Sequence, residues 1–550
     1  MFASNAAIRK HGATKNVERL ARGLVGLTLA VAVGVGVLAC NDDFLTESPP
    51  NIIVPENLYT DLAGFEAGLN ALYAQARKVR EGASGTNLLM SEAWTVGVDN
   101  AFANYPAGTE RIWNEWGARN NALESFYLDI WTWLYQTINA SNTIINRADN
   151  PDVKWTEDQK NEVVAEARFM RAWCYRHLTY LWGDVPLNLE EASGESVRTD
   201  WVRTPKEEVF KQMEEDLLFA EEHLPETTDK PGKLTKAVAQ HYLAELYLRM
   251  GDPARAEEEA NAVIGSGLYS LITQRYGVRA NDPGVPFMDQ FVDGNVNRNE
   301  GNTEVLWAFQ LELDVPGGGQ SIMRRYWLNR YYSLKGIAVS AEYGGRGIGR
   351  LSPTAWGINL YEPQDDRGSQ YAIRKFYLYN DPDALPSGKQ LGDTLFLDWT
   401  TEKMSNPKWP STRKWDWADP LDESGAAQYG DQPYLRLAET YLLLAEAQFD
   451  QGKLPEAATT LNIVRARSNA SPIDAGDVTL DFILDERSRE LLAEGERRYA
   501  LLRTGKWLER TRLHNPIAGP NVTERDTLFP IPQAVIDANL GAGMPQNPGY

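Results

Sequence analysis

Two stretches of the chain, AELYLRMGDPARAEEEANAVI (Ala244 to Ile264) and AEAQFDQGKLPEAATTLNIVR (Ala445 to Arg465), align without a gap at a separation of 201 residues. Leu243, Ala244, Gly251 and Ala256 of the first fall on Leu444, Ala445, Gly452 and Ala457 of the second. A tetratricopeptide helix pair needs residues of these types at these places: a small residue at the crossing, a glycine at the turn, and an alanine where the second helix comes close. The repeat therefore predicts a mainly α fold on a tetratricopeptide-like helix-pair scaffold. Helical periodicity elsewhere agrees, with Leu62, Phe65, Leu69, Leu72 and Tyr73 on one face of 58–77 and similar patterns in 126–146 and 162–182.

Between the copies the character changes. Residues 265–433 are dense in Gly, Pro, Asn, Asp and aromatics, and only short strand-like runs stand out, EVLWAFQLEL (Glu304 to Leu313) and YAIRKFYLY (Tyr371 to Tyr379). This reads as a long irregular, loop-rich region with short β-strands laid over the helices, and long irregular segments are usually functional. The expected organisation is a helical region over 58–264, the insert over 265–433 and a second helical region over 434–550, together forming one body.

The first 57 residues are of another kind. Arg9, Lys10, Lys15, Arg19 and Arg22 stand against Glu18, and Leu24 to Ala39 carries no charge. A basic front followed by an apolar stretch too short for a comfortable span is a secretory signal, here 1–39. The stretch ends in Val37, Leu38, Ala39, Cys40, which resembles a bacterial lipobox, so Cys40 is the expected site of acylation. Residues 40–57, rich in Pro, Asn and acid, then read as a tether. An anchored chain is held on a bilayer by its acyl groups without spanning it.

Composition limits the chemistry. The formal net charge is −21, which disfavours nucleic acid and anionic lipid as partners. Cys174 is the other of the two cysteines and reads as a buried thiol. Beyond the leader the histidines are His177, His223, His241 and His514, with no HExxH spacing, and there is no GxSxG elbow, GxxxxGK loop or CxxC. Nothing calls for a cofactor, and the chain does not read as an enzyme. Asp293, Asn295, Asn297, Asn299 and Glu304 have the spacing of a calcium loop, but Arg298 replaces its turn glycine, so a solvated polar loop is favoured over a metal site.

Later motifs, taken in order, resemble those of the SusD/RagB family of lipid-anchored nutrient-capture proteins. AEARFMRAWCYRHLTYLWGDVPL (Ala165 to Leu187), RLAETYLLLAEA (Arg436 to Ala447), ERSRELLAEGERRYALLRTGKW (Glu486 to Trp507) and FPIPQAVIDAN with the terminal QNPGY carry the resemblance. Arg498, Ala500 and Val535 depart from it, standing where Trp, Asp and Glu are usual. The resemblance implies a surface lipoprotein of the outer membrane of a diderm bacterium. It would bind an oligomeric nutrient, most often a glycan, and deliver it to a SusC-like TonB-dependent β-barrel.

In the family the ligand platform draws on the loop after the first helix and on the irregular middle. Sugar recognition needs flat apolar faces and side-chain amides or carboxylates. The candidates are therefore Trp94, Asp99, Asn100 and Tyr105 in the first region, and Trp327, Tyr331 and Tyr332 in the second. Trp356, Trp409, Trp415 and Trp417 are open between a platform and a transporter contact. Glu486, Glu490 and Glu494, with Arg487, Arg497 and Arg498, read as an ion-pair network on a helix. The alternatives from other classes are a tetratricopeptide-type adaptor for a protein partner and a glycoside hydrolase on a helical scaffold.

Overall fold

The structure, a computed structural model, describes residues 54–81, 89–106, 108–400, 406–419 and 421–550. Cys40 and its tether up to residue 53 lie outside the described residues. Among the described residues the eleven longer helices are α1 (Leu62–Arg77), α2 (Ser125–Arg147), α3 (Glu157–Trp182), α4 (Lys206–His223), α5 (Lys236–Met250), α6 (Pro253–Gly265), α7 (Leu437–Asp450), α8 (Leu454–Arg467), α9 (Leu480–Leu491), α10 (Arg497–Arg503) and α11 (Trp507–His514). No helix among the described residues is long and apolar enough to cross a membrane.

Helix α3 is the axis of the first half. A capping box between Thr156 and Gln159 starts it, and from Val163 to Trp182 all but Arg168 are buried. A helix buried all round must satisfy its charges internally. Arg171 does so by donating to both carboxylate oxygens of Asp216 on α4 at 2.8 and 2.7 Å, and to Asn142 Oδ1 on α2 at 2.9 Å. Arg176 similarly reaches Glu245 on α5 at 2.7 Å, and Glu496. The arginines of the family-like motif thus fasten neighbouring helices to α3.

The repeat sits where its residues require. Gly251 and Gly452 have φ of +77° and +73° with open space around the missing Cβ, so backbone conformation alone demands glycine there. After the first turn, the Asp252 side chain accepts from Arg255 N at 3.2 Å and Pro253 opens α6. Ala244, Ala256, Ala445 and Ala457 are all fully buried. The two pairs are far apart in sequence, yet α6 packs directly on α7. The helix-pair array is thereby continuous in space, and the insert leaves and re-enters at that junction.

Among the described residues, eight short strands form four antiparallel pairs: β1 (Ala101–Ala103) with β3 (Leu351–Pro353), β2 (Val305–Phe309) with β8 (Gln432–Arg436), β4 (Ile373–Arg374) with β7 (Ser411–Thr412), and β5 (Phe376–Leu378) with β6 (Thr394–Phe396). Both strand-like runs of the sequence are found, as β2 and as β4 with β5. The β2–β8 ladder, Val305 opposite Arg436 and Phe309 opposite Gln432, closes the neck of the insert just before α7. The β1–β3 pair stitches the loop after α1 to the insert. This is the mainly helical, loop-overlaid architecture that the repeat predicts.

The ion-pair network exists with different partners. Glu486 accepts from Arg367 at 2.7 Å, Arg465 at 2.7 Å and Arg489 at 2.8 Å. Glu490 accepts from Arg367 at 3.1 Å, from Arg436 at 3.0 Å, and from Arg467, while Glu494 takes Lys414 and Arg436, each at 2.5 Å. Of the cations named from the sequence, Arg487 pairs with Glu439, Arg497 with Asp99, and Arg498 donates to the Asp526 carbonyl over the Trp507 ring. A four-residue spacing identifies acceptors on one face; their donors come from whatever packs there, and here that is the insert, β8 and α8.

Candidate functional site

Most of the seven residues singled out in the sequence are inside the protein. Trp94 is buried, its ring 4.8 Å from that of His177 and 5.8 Å from that of Tyr499. Asp99 takes Arg497 at 2.8 and 2.6 Å and Arg510 at 2.9 Å, and these guanidiniums hold its carboxyl below its usual range although burial acts the other way. Asn100 donates to Ser488 Oγ at 2.8 Å. Trp327 is fully buried, and Tyr331 stacks on Tyr377 at 5.0 Å with its hydroxyl donating to the Gly345 carbonyl at 2.6 Å. These five side chains cannot offer a face to a sugar. Tyr105, 46% exposed, and the half-buried Tyr332 can.

The calcium-loop residues do not converge on a cation. Both Glu304 oxygens are taken, one by Arg436 at 2.5 Å and the other by Arg467 at 2.8 Å and Ile272 N at 3.0 Å. Asn295 Oδ1 accepts from Val278 N, and Asn297 Oδ1 from Gln310 Nε2. Asn299 is exposed. Asp293 points elsewhere, into a cleft.

That cleft, about 500 Å³, lies between the loop at 293, the run 310–318 beyond β2, the segment 417–431 and the end of α1. Trp417 and Tyr429 stand in its wall with ring centroids 6.2 Å apart at 73°, both half-exposed. Trp417 Nε1 donates to Asp293 Oδ2 at 3.2 Å, fixing the indole beside a carboxylate. Gly430 makes this possible: a Cβ there would lie 2.7 Å from Trp417 Nε1 and 2.9 Å from Asp293 Cγ. Leu421, 88% exposed, extends the apolar rim.

The polar lining is acidic with one cation. Burial raises the Asp431 carboxyl to about 6, with the charges of Asp293 and Glu300 adding to the effect, although Leu311 N at 2.8 Å and Asn297 Nδ2 at 2.7 Å donate to its two oxygens. Those bonds commit Asp431 to holding the cleft wall. Arg77 donates to the Gln310 carbonyl at 2.8 Å and to the Gly317 carbonyl, tying α1 to the far wall. Asp293, Glu312 and Asp419 remain as carboxylates beside the aromatic faces. Flat apolar surface flanked by hydrogen-bond acceptors is what a polyhydroxylated ring requires.

A second groove of about 430 Å³ has aromatic walls from Trp131, Tyr135 and Trp201. Its amides Asn139 and Asn539 are bonded to the backbone of Ala192 and Trp201, so it has less to offer a hydroxylated ligand. Of the tryptophans open in the sequence, Trp409 and Trp415 are buried and Trp356 stacks on His514 at 4.1 Å, leaving Trp417. Arg77, Gln310, Tyr429 and Asp431 gave no signal of their own. They come from three separate stretches, which the β2–β8 closure and the Arg77 bonds to the 310–317 run bring together.

Comparison with known proteins places the chain. Residues 303–550 match the family described as "SusD family", and residues 43–248 match one described as "Starch-binding associating with outer membrane". A SusD-like protein of Formosa agariphila is 27% identical over 543 residues, covering 94% of this chain and 97% of its own. The starch-binding protein SusD of Bacteroides thetaiotaomicron is 26% identical over 452 residues, covering 76% and 78%. Among solved structures, surface glycan-binding protein A of Bacteroides fluxus superposes with a TM-score of 0.67 at 19% identity, covering 88% of this chain and 99% of its own. Residues 43–248 and 303–550 each match a SusD model, and curated SusD-like relatives align over most of the chain, so the chain belongs to the SusD/RagB family.

Proposed function

We propose that this protein binds an oligosaccharide in the Trp417 cleft and passes it to a TonB-dependent barrel of the outer membrane, to which acylated Cys40 keeps it close. The single observation that supports binding there is the half-exposed Trp417 indole, held by Asp293 and facing a cleft of carboxylates and a second aromatic ring. Relatives named for starch binding and glycan binding favour carbohydrate as the ligand class, and a family described as associating with the outer membrane supports the location. The mechanism is retention without covalent chemistry. A preformed face lowers the ligand's off-rate at the membrane surface, and the protein body covers the mouth of the barrel until handover.

The test is isolation from membranes in mild detergent through a tag placed after Tyr550. A stoichiometric β-barrel of transporter size is the expected companion; an acylated protein that purifies alone contradicts delivery. Incubation with the bound polysaccharide should release no reducing ends, and their appearance, absent from a boiled control, contradicts a purely binding role.

A further inference from the structure

An acidic chain concentrates positive charge at one place on its insert. Arg325, Arg330, Arg346 and Arg350 lie on neighbouring segments, and among the described residues the first three have no carboxylate within salt-bridge distance. Arg350 alone is paired, to buried Glu110 at 2.7 Å. The cluster is held together by backbone and ring contacts. Ile348 N donates to the Arg325 carbonyl at 2.9 Å, and Tyr105 N donates to the Arg350 carbonyl at 3.2 Å. Arg346 Nε donates to Tyr332 Oη at 3.3 Å, and the guanidiniums of Arg330 and Arg346 lie 5.8 and 5.7 Å from that ring.

Such an arrangement works against folding. Burial lowers the pKa of Arg325, and the charges of Arg350 and Arg346 lower it further. The Nε atoms of Arg325 and Arg350 are buried without a hydrogen-bond partner. Unpaired like charges and unsatisfied donors, side by side in a chain of net charge −21, have the character of a site completed by something else. Guanidinium forks match planar and tetrahedral oxyanions, and the exposed faces of Tyr105 and Tyr332 at the margin suit a sugar ring.

We propose that Arg325, Arg330, Arg346 and Arg350, with Tyr105 and Tyr332 beside them, bind the carboxylate or sulfate groups of an acidic oligosaccharide. The proposal goes beyond the cleft and rests on the carbohydrate-binding reading for its ligand class. A short acidic glycan fits better than nucleic acid, because a long polyanion would extend past four arginines over a chain of net charge −21. The patch also adjoins the cleft: Arg346 N donates to the Glu423 carbonyl at 3.0 Å, and Arg324 donates to the Trp417 carbonyl at 2.7 Å, so both surfaces share the segment from 417 to 425.

The test is calorimetric titration of the full-length protein in mild detergent with three hexasaccharides: galacturonate, sulfated galactose and neutral maltohexaose. The acidic sugars are expected to bind about tenfold tighter than the neutral one at low salt, with the advantage shrinking as salt rises. Whichever of the two acidic sugars binds tighter identifies the oxyanion. Arg346→Gln and Arg330→Gln, both at exposed side chains, should each remove most of that advantage by weakening the acidic sugars far more than maltohexaose. Equal affinity for all three sugars, or acidic binding untouched by both substitutions, overturns the proposal while leaving carbohydrate binding in place. No binding of any of the three counts against both.

Discussion

Arg436 donates to the Glu490 carboxylate at 3.0 Å, and neither side chain reaches solvent. Arg436 ends β8, where the insert returns to the helices, and Glu490 lies in the last turn of α9. Arg367 and Lys414 from the insert reach the same row of glutamates. The buried network therefore fastens the region that carries the cleft to the scaffold beneath it.

Glu490→Gln leaves Arg367, Arg436 and Arg467 short of a counter-charge in a dry environment. The expected destabilisation is about 3–5 kcal/mol, read from denaturant unfolding at pH 7. Burial alone would raise the Glu490 carboxyl, but Arg467, Arg436 and Arg367 more than reverse this and hold it well below the usual range. A folded pKa below the unfolded one gives stability that is complete above about pH 4.3 and is lost as the pH falls toward the folded value. The wild-type protein should lose stability steeply below that pH, and the variant less steeply.

His241 is buried, with Nδ1 against Thr440 Oγ1 at 2.9 Å, and burial pushes its pKa down to about 4. The unfolded state binds a proton near pH 6.5 that the folded state refuses until about 4, so this contribution is present above 6.5 and falls between the two values, by on the order of 3 kcal/mol in all. Comparing urea midpoints at pH 7 and 5 for the wild-type protein and His241→Gln checks it; the variant should show the smaller difference.

Gly452→Ala meets no neighbour, so its effect isolates backbone conformation at φ +73°. A loss of about 1 kcal/mol is expected, seen as a lower melting temperature with ligand affinity unchanged.

Cys174 lies wholly inside α3, and burial pushes its thiol far above the ordinary range. It should resist a thiol reagent in the native protein and react fully in denaturant. Reaction in the native state would contradict the buried position of α3.

The scaffold was legible because it depends on local rules: Gly251, Gly452 and the paired alanines mark turns and close approaches that any helix pair must make. The site was legible only in outline. The stretch SEAWTVGVDNAFANYP is turn-rich and reads as an exposed loop, yet β1 pairs with β3 and draws Trp94, Asp99 and Asn100 into the core. Asp99 owes its role to Arg497 and Arg510, about four hundred positions away, and no local pattern encodes that distance. Asp293 drew notice for a metal loop and serves as the hydrogen-bond partner of Trp417. Tyr105 and Tyr332 keep an exposed face, and no local pattern marks the guanidiniums of Arg330 and Arg346 beside Tyr332, because they arrive from separate turns.

The most direct measurement is the affinity of the purified protein and of Trp417→Ala for the glycan it retains, by calorimetry, with unfolding midpoints of both proteins as control. The account predicts a loss of at least tenfold with little change in midpoint, since stacking on a half-exposed aromatic face contributes about 1–3 kcal/mol to binding and little to folding. Unchanged affinity in a folded variant would contradict the assignment of the cleft as the carbohydrate site.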